Sequence, residues 1–251
     1  MSIDNLATQL KRLKLFGTLS TVEQRLIQAQ DSQLSYRELI TLLLQDEIQY
    51  RDSKALSRRL CAAKFEEEKT LEGLKLEIYP AKIQRAIREL ACGNYLNAHQ
   101  HVLIMGHTGT GKTHLAQALG HHACRQGKHV LFIRASILFR KLNASRADQT
   151  WEKVFKTFQH YNLLIIDDFG LKEMSMVQAE DIYELIAERH QKGSFIITSN
   201  RAVESWIALF PDPVMANAAL DRLSHQAHHI IIEEKSLESY RKNNRPQLIN
   251  D

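Results

Sequence analysis

The sequence predicts an α/β fold, a five-stranded parallel sheet flanked by helices and preceded by a small all-α domain. Three observations predict it. Five short apolar runs, Val102 to Met105, His129 to Ile133, Leu163 to Ile166, Phe195 to Thr198 and His229 to Ile232, are separated by segments long enough for helices, the pattern of parallel strands joined by crossovers. Leu163-Leu164-Ile165-Ile166 is apolar at every position, as a central strand covered on both faces must be. Residues 1 to about 69 instead carry helical periodicity with Gly17 as the single glycine break.

Taken in order, Leu6, Leu10 and Leu13 mark a first helix, and Leu19, Val22, Leu26 and Ile27 a second. Ser35-Tyr36-Arg37-Glu38 is a capping box, in which the serine side chain and the glutamate three residues on satisfy each other's backbone N–H groups. It opens a long helix carrying Leu39, Ile40, Leu43, Leu44, Ile48, Leu56 and Leu60. Thr70 to Tyr79 contains Gly73 and precedes Pro80, so it reads as a connector, with Pro80 starting a helix through Ala91. The expected division is therefore a helical domain over residues 1–72 and an α/β domain over 73–251.

The first strand runs into Gly106-His107-Thr108-Gly109-Thr110-Gly111-Lys112-Thr113, which matches G-x-x-x-x-G-K-[ST] at every fixed position, and an apolar helical segment follows. Glycines let the backbone wrap close to phosphates at a helix N-terminus, where N–H groups and the dipole favour negative charge. Lys112 is then the residue for the β- and γ-phosphates of a nucleoside triphosphate, and Thr113 offers a hydroxyl to Mg²⁺. Asp167 and Asp168 end the third strand. Asp167 is placed to hold Mg²⁺ directly or through water, and Asp168 to orient or deprotonate an attacking water. Asn200, at the end of the fourth strand, projects where ligands sit in open α/β sheets. Arg222, in Ala219-Leu220-Asp221-Arg222-Leu223, is the candidate for an arginine delivered across a subunit interface to the γ-phosphate. Its bland alternative is a helix arginine paired with Asp221 or a neighbouring acid.

Composition narrows the setting. The 251 residues carry a net charge of +4, which permits nucleic acid without requiring it. No apolar run approaches the ~20 residues of a membrane span, and Met1-Ser2-Ile3-Asp4-Asn5 has no basic-then-apolar leader, so a cytoplasmic protein is expected. The three cysteines, Cys61, Cys92 and Cys124, are scattered, which suits reduced thiols. The histidine pairs His121-His122 and His228-His229 lack a third donor at ligand spacing and read as structural. Between the second and third strands, Arg134, Arg140, Lys141, Arg146, Lys153 and Lys156 stand against only Asp148 and Glu152. The candidate DNA contacts are Arg140, Lys141, Arg146, Lys153 and Lys156, reading phosphate and shape rather than bases. Only about 18 residues follow the last strand, so a C-terminal helical lid is not expected and a neighbouring subunit is the candidate to close the site.

These motifs in this order resemble the AAA+ initiator and helicase-loader clade and, within it, the IstB family of transposition helper ATPases of bacterial insertion sequences. The matching segments are Lys69-Thr70-Leu71-Glu72, Ile87-Arg88-Glu89-Leu90-Ala91, Gly111-Lys112-Thr113-His114-Leu115-Ala116, Asp167-Asp168-Phe169-Gly170, Thr198-Ser199-Asn200-Arg201, Leu220-Asp221-Arg222-Leu223 and Ser239-Tyr240-Arg241. The resemblance implies ATP and Mg²⁺ as cofactors, Asn200 as the first sensor and Arg222 as the trans-acting arginine. It also implies ATP-dependent homo-oligomerisation on double-stranded DNA and a transposase as partner. Many AAA+ ATPases carry glutamate where Asp168 stands, so hydrolysis is expected to be slow and to depend on assembly. A DnaC-like helicase loader would use the same nucleotide site and stays open as the alternative, as does a nucleotide-binding switch that works without DNA.

Overall fold

A computed structural model of the chain describes residues 3–225 and 227–232. The chain divides into two compact units, Met1–Arg58 and Arg59–Asp251.

The first unit is built from α1 (Ile3–Arg12), α2 (Phe16–Asp31) and most of α3 (Tyr36–Ala63). The capping box forms as its residues require: Glu38 accepts the Ser35 N–H at 2.7 Å and the Ser35 hydroxyl accepts the Glu38 N–H at 3.4 Å. Two acids of α3 then hold α2. Glu47 Oε2 accepts the Gly17 and Thr18 N–H groups at 2.7 and 3.1 Å, capping the α2 N-terminus from 30 residues away in sequence. Asp46 receives the Arg25 guanidinium in a two-pronged pair at 2.7 and 2.8 Å and the Thr21 hydroxyl at 2.7 Å. The Arg25 and Thr21 hydrogen bonds hold the Asp46 carboxyl down at about 2.

The second unit carries the sheet. Its elements are α4 (Ala81–Ala91), the short α5 (Asn94–Asn97), β1 (Val102–Gly106), α6 (Lys112–Arg125), β2 (Val130–Arg134), α7 (Ala135–Ala147), α8 (Trp151–Gln159), β3 (Leu163–Phe169), α9 (Met176–Arg189), β4 (Ser194–Ser199), α10 (Pro213–Ser224) and β5 (His228–Ile232). All four strand pairings are parallel, in the order β2-β3-β4-β1-β5. Side chains alternate across the strands. Leu103, Met105, Ile133, Leu164, Ile166 and Ile197 share one core with apolar residues of α7, α8, α9 and α10. Leu115, Ala116 and Leu119 of α6 are buried outside that core, on the opposite side of the sheet. The chain leaves β1 for the far edge through α6 and then returns strand by strand, and this change of direction places helices on both faces. It also opens the crevice at the carboxyl ends of β1 and β4, where such sheets bind ligands.

The division between units falls before the expected boundary near residue 72, because the segment after α3 is built onto the sheet domain. Phe65 stands 6.2 Å from the His121 ring and 6.4 Å from Phe132, centroid to centroid. Gln117 Oε1 accepts the N–H groups of both Glu66 and Glu67, at 3.1 and 3.2 Å. The lid expectation and Arg241 fall on residues 233–251, outside the described residues. Among the described residues no helix is long and apolar enough to cross a membrane.

Gly17 tests the first unit. A Cβ there would lie 2.6 Å from Tyr50 Cβ and 2.7 Å from the Asp46 carbonyl, so Gly17→Ala must push α2 away from α3. A loss of about 1–3 kcal/mol is expected, read by chemical denaturation; an unchanged midpoint would show that the helices do not need this approach.

Candidate functional site

The site is assembled from the ends of β1, β3 and β4 and the start of α6. The loop after β1 turns at three glycines with positive φ, Gly106 at 152°, Gly109 at 89° and Gly111 at 87°. At Gly106 a Cβ would also meet the Ile232 carbonyl oxygen of β5 at 2.4 Å, so neither backbone nor space admits a side chain. The loop closes on the His107 carbonyl, which accepts the Lys112 ammonium at 2.8 Å and the Thr110 hydroxyl at 2.9 Å. Burial pushes the Lys112 amine down from its ordinary value, and Asp168 and Asp167 act against that shift. The ammonium is thus held at the α6 N-terminus, and a nucleotide phosphate group would complete a cradle that already has its cation and its inward-turned glycines.

Asp167 lies at the centre and is 1% exposed. The Thr113 hydroxyl donates to it at 2.9 Å and the Thr198 hydroxyl at 2.6 Å. Burial pushes its carboxyl up, partly offset by these two hydrogen bonds. Thr113 and Asp167 could supply two oxygen donors, one hydroxyl and one carboxylate, to a Mg²⁺ ion next to the phosphate loop, the rest of its octahedron being left to phosphate and water.

Period-2 alternation would send Asp167 and Asp168 to opposite faces. Both nevertheless line one cavity of about 400 Å³ together with Thr108, Gly109, Gly111, Lys112, Thr113 and Asn200. The reason is a β-bulge: Ile166 pairs with Ile197 but Phe169 pairs with Ser199, three steps on β3 against two on β4. Asp168 takes up the extra residue at φ 56°, a conformation costing on the order of 1–3 kcal/mol that aspartate tolerates better than most residues. Its N–H donates to the Thr198 hydroxyl at 3.0 Å. That one hydroxyl therefore serves both acids, and sequence reasoning assigned Thr198 no role. A polar residue inside an otherwise apolar strand was the available signal.

Asn200 reaches the loop, its amide donating to the Thr108 hydroxyl at 3.3 Å. The structure thus brings together Gly106, His107, Thr108, Gly109, Thr110, Gly111, Lys112, Thr113, Asp167, Asp168 and Asn200. Arg222 does not join them: it lies on α10 with its guanidinium 5.1 Å from the Tyr183 ring. Six residues without a predicted site role also line the cavity, Glu66, Glu67, His114, Gln117, Arg134 and Leu171.

Of the basic candidates, Arg140, Lys141 and Lys153 are exposed without an ion-pair partner among the described residues. Lys156 stands 3.8 Å from Glu152 on the exposed face of α8, a pairing of little energetic weight. Lys153 and Lys156 line an open groove along α8. Arg146 departs from the expected role. It pairs with Asp181 at 2.5 Å and stacks over Trp151 at 4.9 Å, while the Trp151 indole N–H donates to the same carboxylate at 3.0 Å. Asp181 is 1% exposed, and a buried carboxylate needs this cation, so Arg146 ties α7 and α8 to α9.

Sheet order, phosphate loop and paired acids define the class: a P-loop nucleotide-binding domain of the AAA+ type. The family model described as IstB-like ATP binding protein matches residues 8–247, and the chain belongs to that family. Among relatives, a Mycobacterium tuberculosis protein named as an ATP-binding protein in an insertion sequence is 39% identical over 242 residues, covering 96% of this chain and 95% of that one. The Pseudomonas aeruginosa protein named as an ATP-binding protein of insertion sequence IS21 is 34% identical, over 90% of this chain and 86% of that one. Among solved structures, DnaI matches with a TM-score of 0.56 at 20% identity, covering 66% of this chain and 91% of that chain. AMPPCP-bound DnaA from Aquifex aeolicus gives 0.56 at 20%, covering 69% of this chain and 52% of that chain. At these identities the two structures share the fold.

Asp167 yields a signed pH prediction. A raised carboxyl pKa means that the folded chain holds this proton more tightly than the unfolded chain does. Its contribution to stability is therefore full below the ordinary 3.8 and is lost as pH rises through the raised value. Without nucleotide and Mg²⁺, Asp167→Asn is expected to melt above the parent at neutral pH, the gap closing as pH falls toward that ordinary value. Thermal melts across pH decide it, and an Asn variant less stable at neutral pH would contradict a burial cost at this carboxylate.

Proposed function

We propose that the chain is an ATP-hydrolysing, DNA-binding AAA+ ATPase that assembles on duplex DNA and assists a transposase in insertion-sequence transposition. The observation that carries this reading is the Thr113–Asp167 pair beside Lys112, in a chain whose relatives are named as ATP-binding proteins of insertion sequences. In this reading Gly106 to Lys112 cradle the phosphates, and Thr113 and Asp167 hold Mg²⁺, which neutralises phosphate charge when bound. Asp168, pushed into the cavity by the bulge, orients the attacking water and accepts its proton. Asn200 positions the same water or the terminal phosphate from above the loop. Arg222, away from its own chain's cavity, acts on a neighbouring subunit's nucleotide, which makes hydrolysis a property of the assembly.

For DNA, Arg140, Lys141, Lys153 and Lys156 are the exposed cations of α7 and α8 that would meet phosphates. The cytoplasm, where DNA and ATP meet in a bacterial cell, is the compartment this reading requires. Sizing of the purified protein with duplex or single-stranded DNA, under ATP, ADP or no nucleotide, tests the whole. Large ATP-dependent species on duplex DNA are expected; a preference for single strands, with assembly only in the presence of a replicative helicase, would point to a helicase loader instead.

Two variant experiments sharpen this. Lys112→Ala and Arg222→Ala proteins should each hydrolyse ATP poorly on DNA, yet a one-to-one mixture should recover roughly a quarter of the parental rate. Random head-to-tail pairing sets an intact loop against an intact arginine at that frequency. No recovery in the mixture would remove Arg222 from the shared site. Replacing Arg140, Lys141, Lys153 and Lys156 with alanine should flatten the log-affinity against log-salt slope on duplex DNA by roughly 0.9 for each phosphate no longer neutralised; an unchanged slope would move the DNA surface elsewhere.

A further inference from the structure

The nucleotide cavity has a second cation that the phosphate-loop pattern does not include. Arg134 is the last residue of β2, in register with Asp167 on β3, and it lines the same cavity as Lys112. Its Nη2 is paired with Glu66 Oε2 at 2.5 Å. Glu66 does not come from the sheet: it lies on the segment that follows α3, three residues past its last residue, Ala63. That segment is secured to the phosphate-loop helix by the buried Gln117, whose side-chain oxygen accepts the Glu66 and Glu67 N–H groups, and to β2 by Phe65 packed near Phe132. The carboxylate is thus delivered to the cavity by backbone bonds that do not involve it. Arg134 and the acids feel one another, since Asp167 and Asp168 both help push the Arg134 guanidinium up, after the larger effect of Glu66, and Glu66 adds to the upward push on Asp167.

We propose that Arg134 is a phosphate-binding residue of the ATP site, and that Glu66 competes with the nucleotide for its guanidinium. A guanidinium presents its N–H fork equally well to a carboxylate and to a phosphate. At the rim of a cavity already holding Lys112, a triphosphate offers the larger negative charge, so binding transfers Arg134 from Glu66 to the nucleotide. Because Glu66 sits on the segment leading out of α3, whatever displaces that segment frees Arg134 and tightens nucleotide binding. This links the segment to the ATP site through a single ion pair. The proposal rests on the ATP reading above and adds a residue and its competitor to it.

The test is a double-mutant cycle read by calorimetric affinity for ADP and for a non-hydrolysable ATP analogue, both with Mg²⁺. Glu66→Gln keeps the two backbone bonds to Gln117 and removes the charge; it should tighten the ATP analogue about five-fold, the scale of a well-formed partly exposed pair. Glu67→Gln makes the same charge change on the adjacent cavity residue, which pairs with Lys69 at 2.7 Å, and should leave affinity nearly unchanged. Arg134→Gln should weaken the ATP analogue more than ADP, and Glu66→Gln should have no effect in the Arg134→Gln background. Tightening that persists in that background, or equal tightening by Glu67→Gln, would reduce Glu66 to a general charge effect and overturn the proposal. Weaker binding by Glu66→Gln would overturn it too, making the pair a scaffold. If the double variant does not fold, salt decides: the advantage of Glu66→Gln over the parent should shrink as salt screens the competing pair, and a salt-independent advantage refutes competition. A parent chain that binds neither nucleotide would instead refute the ATP reading, a result distinct from any of these.

Discussion

The second unit is organised around one buried charge. Asp167 is taken out of water at the end of a central strand, and an ionised carboxylate there is tolerated only where hydrogen-bond donors replace the lost hydration. Two donors arrive from different elements, Thr113 from the phosphate-loop helix and Thr198 from the neighbouring strand. Those bonds set the position of α6 against β3 and of β3 against β4, so the geometry of the nucleotide site and the geometry of the sheet end are the same constraint. Burial pushes the Asp167 carboxyl up and the Lys112 amine down, the cost of holding both charges away from water at the site. A binding site poised in this way trades stability for affinity.

Around that charge the chain accepts a second local cost. The bulge at Asp167 and Asp168 places an aspartate at positive φ, and in return two adjacent carboxylates face one cavity, which regular strand geometry forbids. The shorter side chain of Asp168, one methylene less than the glutamate of many AAA+ ATPases, is therefore presented by a displaced backbone. Thr198 holds the arrangement by accepting the Asp168 N–H while donating to Asp167. A hydroxyl is suited to this because it is donor and acceptor at once.

The first unit and the segment after it follow a different logic, in which acids act as helix fasteners. Glu47 and Asp46 bind backbone N–H groups and a guanidinium of α2, and Gln117 does the equivalent for the segment bearing Glu66. For α2, Glu47 supplies from far along the chain the cap that its own N-terminus lacks. Arg189 shows the same economy inside the sheet domain, donating to the carbonyls of Phe158, Tyr161 and Ser194 from a nearly fully buried position. These polar fasteners add specific pairings to the apolar core that the sheet and its helices share.

Periodicity and motif spacing were enough to read the strands, the glycine loop, the capping box at Ser35 and the placing of Lys112, Thr113, Asp167 and Asn200 at the ends of their elements, because each is encoded in residues adjacent along the chain. Strand ends were less legible: β3 extends through Phe169 rather than stopping at Ile166, since the sequence pattern cannot show that a polar end remains hydrogen-bonded to β4. What only the tertiary structure decided are the relations between distant residues. Among them are the bulge that turns Asp168, the hydroxyl of Thr198 between two acids, the pairing of Arg146 with the buried Asp181, and the delivery of Glu66 to Arg134 across 68 positions. A side chain's charge is written in the sequence, but its partner is chosen by packing, and a pair separated by tens of residues leaves no periodic trace.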